Sequence, residues 1–134
     1  MRIYIASRLK NEKTNRNLFH SLCKIGVESF LPEKIGISPT SAEEKYYVAE
    51  TCYKQIEECE VIIGIYYYGI SVGAEIGAAI EMKRKGFPKT ILILCQNCDD
   101  MKKITSEAMV DPYIDEYFAS IDDIIKYIKT SLIH

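Results

Sequence analysis

Strand alternating with helix five times along the chain predicts a doubly wound α/β protein, with a five-stranded parallel sheet in the order 2-1-3-4-5. Two observations carry this. Short apolar runs alternate with longer amphipathic stretches over the whole sequence. The run Val61-Ile62-Ile63-Gly64-Ile65-Tyr66 is apolar without alternation, as in a central strand covered on both faces. Parallel neighbours need crossover connections, which the intervening helices supply. Right-handed crossovers then lay helices on both faces of the sheet.

Each element has its own signal. Arg2-Ile3-Tyr4-Ile5-Ala6 reads as the first strand. Thr14 or Asn15 can cap a helix whose apolar positions Leu18, Phe19, Leu22 and Ile25 have 3.6-residue spacing, and Gly26 ends it. Val27 to Leu31 is a second strand, stopped by Pro32. After a polar loop, Ser41 with Glu44 forms a capping-box signature for a helix running to about Glu58. The third strand, Val61–Tyr66, leads through Tyr68-Gly69-Ile70-Ser71 into a helix from about Val72 to Lys85. Lys83, Arg84 and Lys85 suit its negative end, and Gly86 stops it. Thr90 to Leu94 is a fourth strand, and Asp99 to Met109 holds at least one helical turn. Tyr117-Phe118-Ala119 is a short fifth strand. Ser120 then caps a last helix with Ile121, Ile124, Ile125 and Ile128 on one face. The whole, residues 1–134, reads as a single domain with a flavodoxin-like strand order.

Composition excludes several functions. Hydrophobic residues make up 48% and charged residues 27%, which rules out a disordered chain. The net charge of −2 comes from interspersed signs without a basic stripe, which argues against a nucleic-acid partner. The apolar runs are too short to span a bilayer, and the chain enters a strand at once, so neither a membrane partner nor a signal peptide is expected. Five cysteines then read as reduced thiols in the cytoplasm. Cys95-Gln-Asn-Cys98 has redox spacing, but no second pair or histidine partner accompanies it, so buried structural thiols are the reading. Strand one ends without the clustered aspartates of a phosphorelay receiver. No glycine-rich nucleotide loop follows it, and no metal or cofactor is expected.

In this topology ligands bind beyond the carboxyl ends of the strands, at the switch point between strands one and three. Two segments matter there, Tyr4–Lys13 and Tyr66–Gly77. Gly73, Gly77 and the neighbouring alanines remove bulk, so a ligand can approach the helix start and the helix can pack tightly on the sheet. Ser71 can cap this helix. Glu75 lies beside the stripe Val72, Ile76, Ile80, which places it on the rim of the crevice. Two roles are open for it. One is a first-turn carboxylate favouring the helix dipole, worth about 0.3–1 kcal/mol. The other is a nucleophile or ion-pair stabiliser facing an oxocarbenium-like sugar. Tyr66, Tyr67 and Tyr68 could stack on a base or pack beneath a loop.

Three stretches carry a family likeness: Ile3-Tyr4-Ile5-Ala6-Ser7-Arg8, the helix-to-strand run Tyr53–Ile63, and Val72-Gly73-Ala74-Glu75-Ile76-Gly77-Ala78-Ala79. In their order and spacing they resemble the nucleoside 2-deoxyribosyltransferase family, which includes the deoxynucleoside 5'-monophosphate N-glycosidases. The resemblance implies cleavage or transfer of an N-glycosidic bond in a (deoxy)nucleoside or its 5'-monophosphate. It implies Glu75 as the catalytic glutamate attacking C1', with Tyr4 hydrogen-bonded to it. Ser7, Arg8, Gly69, Ser71 and Gly73 would line the sugar or phosphate, and Ser106 would match a serine inserted from a neighbouring subunit of a homo-oligomer. Two positions depart from the family's pattern. Cys52 stands where the family usually has an aspartate that helps handle the leaving base. Gly69 stands near the transferases' aspartate and the glycosidases' phosphate-binding serine. Two further functions compete: a non-catalytic nucleotide-binding module, and a Toll/interleukin receptor-like NAD glycohydrolase.

Overall fold

The amide and carbonyl groups of the strands find their partners in one five-stranded sheet, all parallel, in the order β2-β1-β3-β4-β5. The structure is a computed structural model that describes residues 1–66 and 69–133; Tyr67 and Tyr68 lie outside the described residues. The strands are β1 (Arg2–Ala6), β2 (Glu28–Phe30), β3 (Val61–Tyr66), β4 (Thr90–Cys95) and β5 (Glu116–Phe118). The helices are α1 (Glu12–Lys24), α2 (Ala42–Glu58), α3 (Ile70–Arg84), α4 (Cys98–Thr105) and α5 (Ile121–Tyr127), the last continued by a π-helical turn, Ile128–Leu132. Among the described residues no helix is long and apolar enough to cross a membrane.

Alternation within the strands builds two cores. Ile3 and Ile5 of β1 join Ile63, Ile65, Leu92 and Leu94 on the face covered by α1 and α5. Tyr4 and Ala6 point the other way, joining Ile62, Ile91 and Ile93 beneath α2, α3 and α4. Tyr4 is therefore a buried residue of the second core, and its ring stacks on Phe30 of β2 at a centroid distance of 5.5 Å.

Capping decides where the sequence boundaries hold and where they move. The Ser41–Glu44 capping box is present in both directions, at 3.1 and 3.3 Å, and α2 ends at Glu58 as expected. Ser120 caps α5 by accepting from the Asp123 amide. Two starts differ from expectation. The helix α1 begins at Glu12, ahead of both expected caps; Asn15 is buried instead and donates to the Arg8 carbonyl at 3.0 Å. The helix α3 begins at Ile70 with Gly69 as its N-cap, so Ser71 is not the cap but sits in the first turn. Extended backbone at Gly69 closes that start without any side-chain acceptor. The helix α4, begun by Asn97, accepts two amides on its cap side chain, which the sequence reading passed over. The strand β5 lies one residue earlier than expected, at Glu116–Phe118.

Two lysine and arginine contacts join distant segments. Lys89 is buried, and its Nζ donates to the carbonyls of Ile56 and Glu57 at 2.7 and 2.8 Å and to that of Cys59. It closes the end of α2, where backbone carbonyls have no intrahelical partner. Burial lowers its ammonium below the usual lysine range. At the same end of α2 Arg2 bonds Gln55 and Glu58, and also Glu28 of β2. The cysteines divide differently from the sequence reading. Cys59 and Cys95 are buried, but Cys98 and Cys23 are exposed, because Cys98 opens α4 at the surface; all five are free thiols.

Replacing Lys89 with Met keeps the stem and removes the donor, leaving buried carbonyls unsatisfied. The expected cost is about 2–4 kcal/mol, read as a lowered urea midpoint at unchanged slope.

Candidate active site

Glu75 is the sixth residue of α3, since the helix begins two residues earlier than the sequence suggests. It lies beyond the first turn, where the dipole acts, so the dipole role proposed for a first-turn acid does not apply. Its position is set from below. Ile76, the next residue, packs into the space left by Gly64 of β3, where an added Cβ would come within 2.8 Å of Ile76 Cδ1 and 2.9 Å of Ile93 Cδ1. Gly64, not Gly73 or Gly77, is thus the glycine that lets the helix sit close to the sheet. Added Cβ atoms at Gly73 and Gly77 would meet nothing within 4 Å, and both residues line a separate groove on the other flank of α3, facing Met109 and Tyr113.

From this position the Glu75 side chain turns back toward the sheet. The Tyr4 hydroxyl donates to Glu75 Oε2. The carboxyl forms part of the wall of a cavity of about 340 Å³ between α2 and α3, with Cys52, Tyr53, Ile70, Ser71 and Ala74 among its other walls. Most of that wall is apolar, which penalises charge. Burial pushes the Glu75 carboxyl up to about 7, against the opposing effect of the Tyr4 hydrogen bond. Burial, followed by the neighbouring Glu75 charge, raises the Tyr4 phenol far above its usual range. Burial also raises the Cys52 thiol; Tyr4 opposes this and Glu75 adds to it.

The β1–α1 loop closes the other side of the switch point. The Arg8 carbonyl accepts from the Asn11 amide and from Asn15 Nδ2, both at 3.0 Å. The Ser7 hydroxyl accepts from Asn11 Nδ2 at 3.2 Å, so Ser7 is engaged in its own loop. With the backbone held in this way, the Arg8 side chain lies against the start of α3: a Cβ on Gly69 would stand 4.0 Å from Arg8 Nε. A guanidinium thus stands beside the start of a helix, an arrangement that suits an anion.

The structure therefore puts Glu75 and Ser71 in the wall of one cavity, joins buried Tyr4 to Glu75 by a hydrogen bond, and lays Arg8 beside Gly69 at the start of α3. Cys52, noted in the sequence only as a departure, stands in the same wall. Gly73 is on the far flank of the helix. Ser106 is exposed at the end of α4, where its hydroxyl donates to the Lys103 carbonyl at 2.7 Å. Asn11 and Asn15, which hold the Arg8 loop, were missed, because asparagines at a helix start read as caps. Among the described residues no three His, Cys, Asp or Glu side chains converge as a metal-ligand set.

The sign of the Glu75 linkage gives a measurement. Its folded value of about 7 lies above the ordinary value of 4.5, so burying this carboxyl costs nothing below pH 4.5 and progressively more up to about pH 7. Glu75→Gln is expected to stabilise the fold by roughly 1–3 kcal/mol at pH 8 and by little at pH 4 to 5. Thermal melts of both proteins at the two pH values check this.

Comparison with known proteins supports the architecture. No protein-family model matches the chain, and no curated protein matches it. Among solved structures, a 2-deoxyribosyltransferase from the psychrotolerant bacterium Bacillus psychrosaccharolyticus superposes with a TM-score of 0.78 at 18% identity, over 95% of this chain and 92% of that one. A conserved protein from Enterococcus faecalis V583 superposes with a TM-score of 0.68 at 16% identity, over 96% and 97%. At these identities the likeness is one of fold: this chain has the flavodoxin-like α/β fold of a 2-deoxyribosyltransferase over nearly its whole length.

Proposed function

We propose that this protein is a member of the nucleoside 2-deoxyribosyltransferase family that cleaves or transfers the N-glycosidic bond of a (deoxy)nucleoside or its 5'-monophosphate, with Glu75 as nucleophile. The observation that carries the reading is Glu75, held by the Tyr4 hydroxyl, in the wall of a cavity at the switch point of the sheet. The structural neighbour from Bacillus psychrosaccharolyticus, a deoxyribosyltransferase suited to making nucleosides, supports it.

In this mechanism Tyr4 holds one carboxylate oxygen and the other attacks C1'. The C–N bond breaks as the O–C1' bond forms, and its electron pair leaves with the base. Water or a second base then displaces Glu75 from C1'. An apolar wall excludes competing water and strengthens the charge of the carboxylate on the cationic sugar. Arg8, Ser71 and the start of α3 would take a 5'-phosphate. Five free thiols suit a reducing cytoplasm.

The outer side of α3 bears on assembly. Ile70 is 95% exposed, and Ala74 and Gly77 beside it are exposed as well. An exposed face of apolar and small residues over the first two turns calls for cover, and a second copy of the chain would supply it. That arrangement would make the protein a homo-oligomer and set a partner residue, such as the partner's Ser106, at the pocket.

Four outcomes follow from this reading. Nucleobase release is expected from a deoxynucleoside or its 5'-monophosphate in a panel that includes NAD; release from none would favour a binding module, and release from NAD alone the glycohydrolase reading. Glu75→Gln should lower turnover at least about a hundredfold while ligand binding persists. Calorimetry should show the 5'-monophosphate binding more tightly than the nucleoside, with Arg8→Ala removing the difference. Sedimentation at micromolar concentration should show a dimer or larger; a monomer would remove Ser106 from the site.

A further inference from the structure

Two charged side chains line the cavity between α2 and α3, and the mechanism so far uses one of them. Glu75 stands on the α3 side and Lys45 on the α2 side. The α2 side of the wall is a helical stripe, Lys45, Val48, Ala49, Cys52 and Tyr53, spaced at three and four residues. Lys45 heads that stripe as the fourth residue of α2, near the positive end of the helix, where a lysine is least favoured. No acidic neighbour compensates for this. The residues three and four positions away on the helix are Ser41, Ala42, Val48 and Ala49. Among the described residues the Lys45 ammonium has no ion-pair partner, whereas Lys83, Arg84, Lys85 and Lys103 each have one. Glu43 and Glu50 lie with Lys54 along the other, outer face of α2.

We propose that Lys45 is the general acid of the reaction: its ammonium gives a proton to the leaving base while Glu75 attacks C1'. The proposal rests on the glycosyl-transfer reading of the pocket. A base that departs with the electron pair of the C1'–N bond needs a proton to leave as a neutral molecule. The bond from Glu75 to C1' forms and the C1'–N bond breaks. The Nζ proton passes to a ring nitrogen or exocyclic oxygen of the base, and Lys45 is left as a neutral amine. The water or second base that then displaces Glu75 returns a proton to that amine, so the enzyme ends as it began. A lysine suits this task, because its three donors ride on a flexible stem that can follow bases of different shape. Other donors at the site are already committed: the Tyr4 hydroxyl donates to Glu75, and burial raises the Cys52 thiol, which holds its proton. Acid and nucleophile thus stand on separate helices, so that one can be charged positive while the other is negative.

The test compares Lys45→Met and Lys45→Arg on two substrates. One is the best nucleoside of the release panel. The other is 7-methyl-2'-deoxyguanosine, whose base already carries a positive charge and departs without a proton. On the first, both variants should lose about a hundredfold in kcat, since arginine keeps the charge but gives up no proton. On the second, the loss should stay below about threefold. Melting temperature should not fall in either variant, because Lys45 is exposed and has no partner to lose. Retained activity of Lys45→Arg on the first substrate, or equal losses on both, would overturn the proposal and leave Lys45 a source of charge or shape alone. A second measurement needs no turnover. Adding free adenine should shift the Lys45 ¹³Cε resonance, assigned with Lys45→Met, and leave that of Lys54, on the outer face of α2, in place. A Lys45 resonance unmoved up to the solubility limit of adenine would also overturn the proposal. If the wild type refuses the methylated substrate, the arginine variant and the resonance shift decide. Failure of every substrate to release a base would overturn the glycosyl-transfer reading instead, and the resonance shift would still decide whether Lys45 meets a base.

Discussion

The pocket depends on how closely α3 lies on β3. Gly64 leaves a hole in the sheet surface, and Ile76 fills it. The helix then sits low enough for the next residue back, Glu75, to meet the hydroxyl of a tyrosine that rises from the neighbouring strand β1. Had α3 ridden higher, the carboxyl would stand in water, with an ordinary titration and no fixed oxygen. Close packing and the geometry of the Tyr4–Glu75 pair are here one constraint, because Tyr4 and Ile76 both belong to the core beneath α2 and α3.

The same packing places a charge in an unfavourable setting. An apolar wall raises the Glu75 carboxyl toward neutrality, while Tyr4 pulls it back. The balance leaves a group that changes charge near physiological pH, which suits the nucleophile role proposed for it. Structure around it is correspondingly stiff: the Tyr4 ring is locked by Phe30, and the Arg8 carbonyl is held from two sides by Asn11 and Asn15.

Much of the fold was legible in local signals. Apolar runs gave β1, β3 and β4, and the Ser41–Glu44 pair gave the start of α2 to the residue, because those signals lie within a few positions of the element they define. The start of α3 was not legible, because Gly69 caps it through backbone shape rather than a side-chain acceptor. Lys89 and Arg2 were invisible for another reason: their partners lie 26 or more positions away, and nothing in a local pattern announces them. Of the candidate site, the Tyr4–Glu75 hydrogen bond was expected from the resemblance, and the region of Glu75 and Ser71 from the strand order. The tight packing expected of Gly73 and Gly77 belongs instead to Gly64, since a glycine's neighbours are known only once the helix is docked. Cys52 read as a missing aspartate, and its place in the same wall as Glu75 emerged only in three dimensions.

The hole at Gly64 also restricts how this sequence can diverge. Ile76 and Ile93 both reach into it from different elements, so the three positions form one volume shared among a central strand, its neighbour and the helix that carries Glu75. A relative with alanine at position 64 is then expected to carry a shorter side chain at 76 or 93, and the three should covary as a set even where the rest of the chain has drifted.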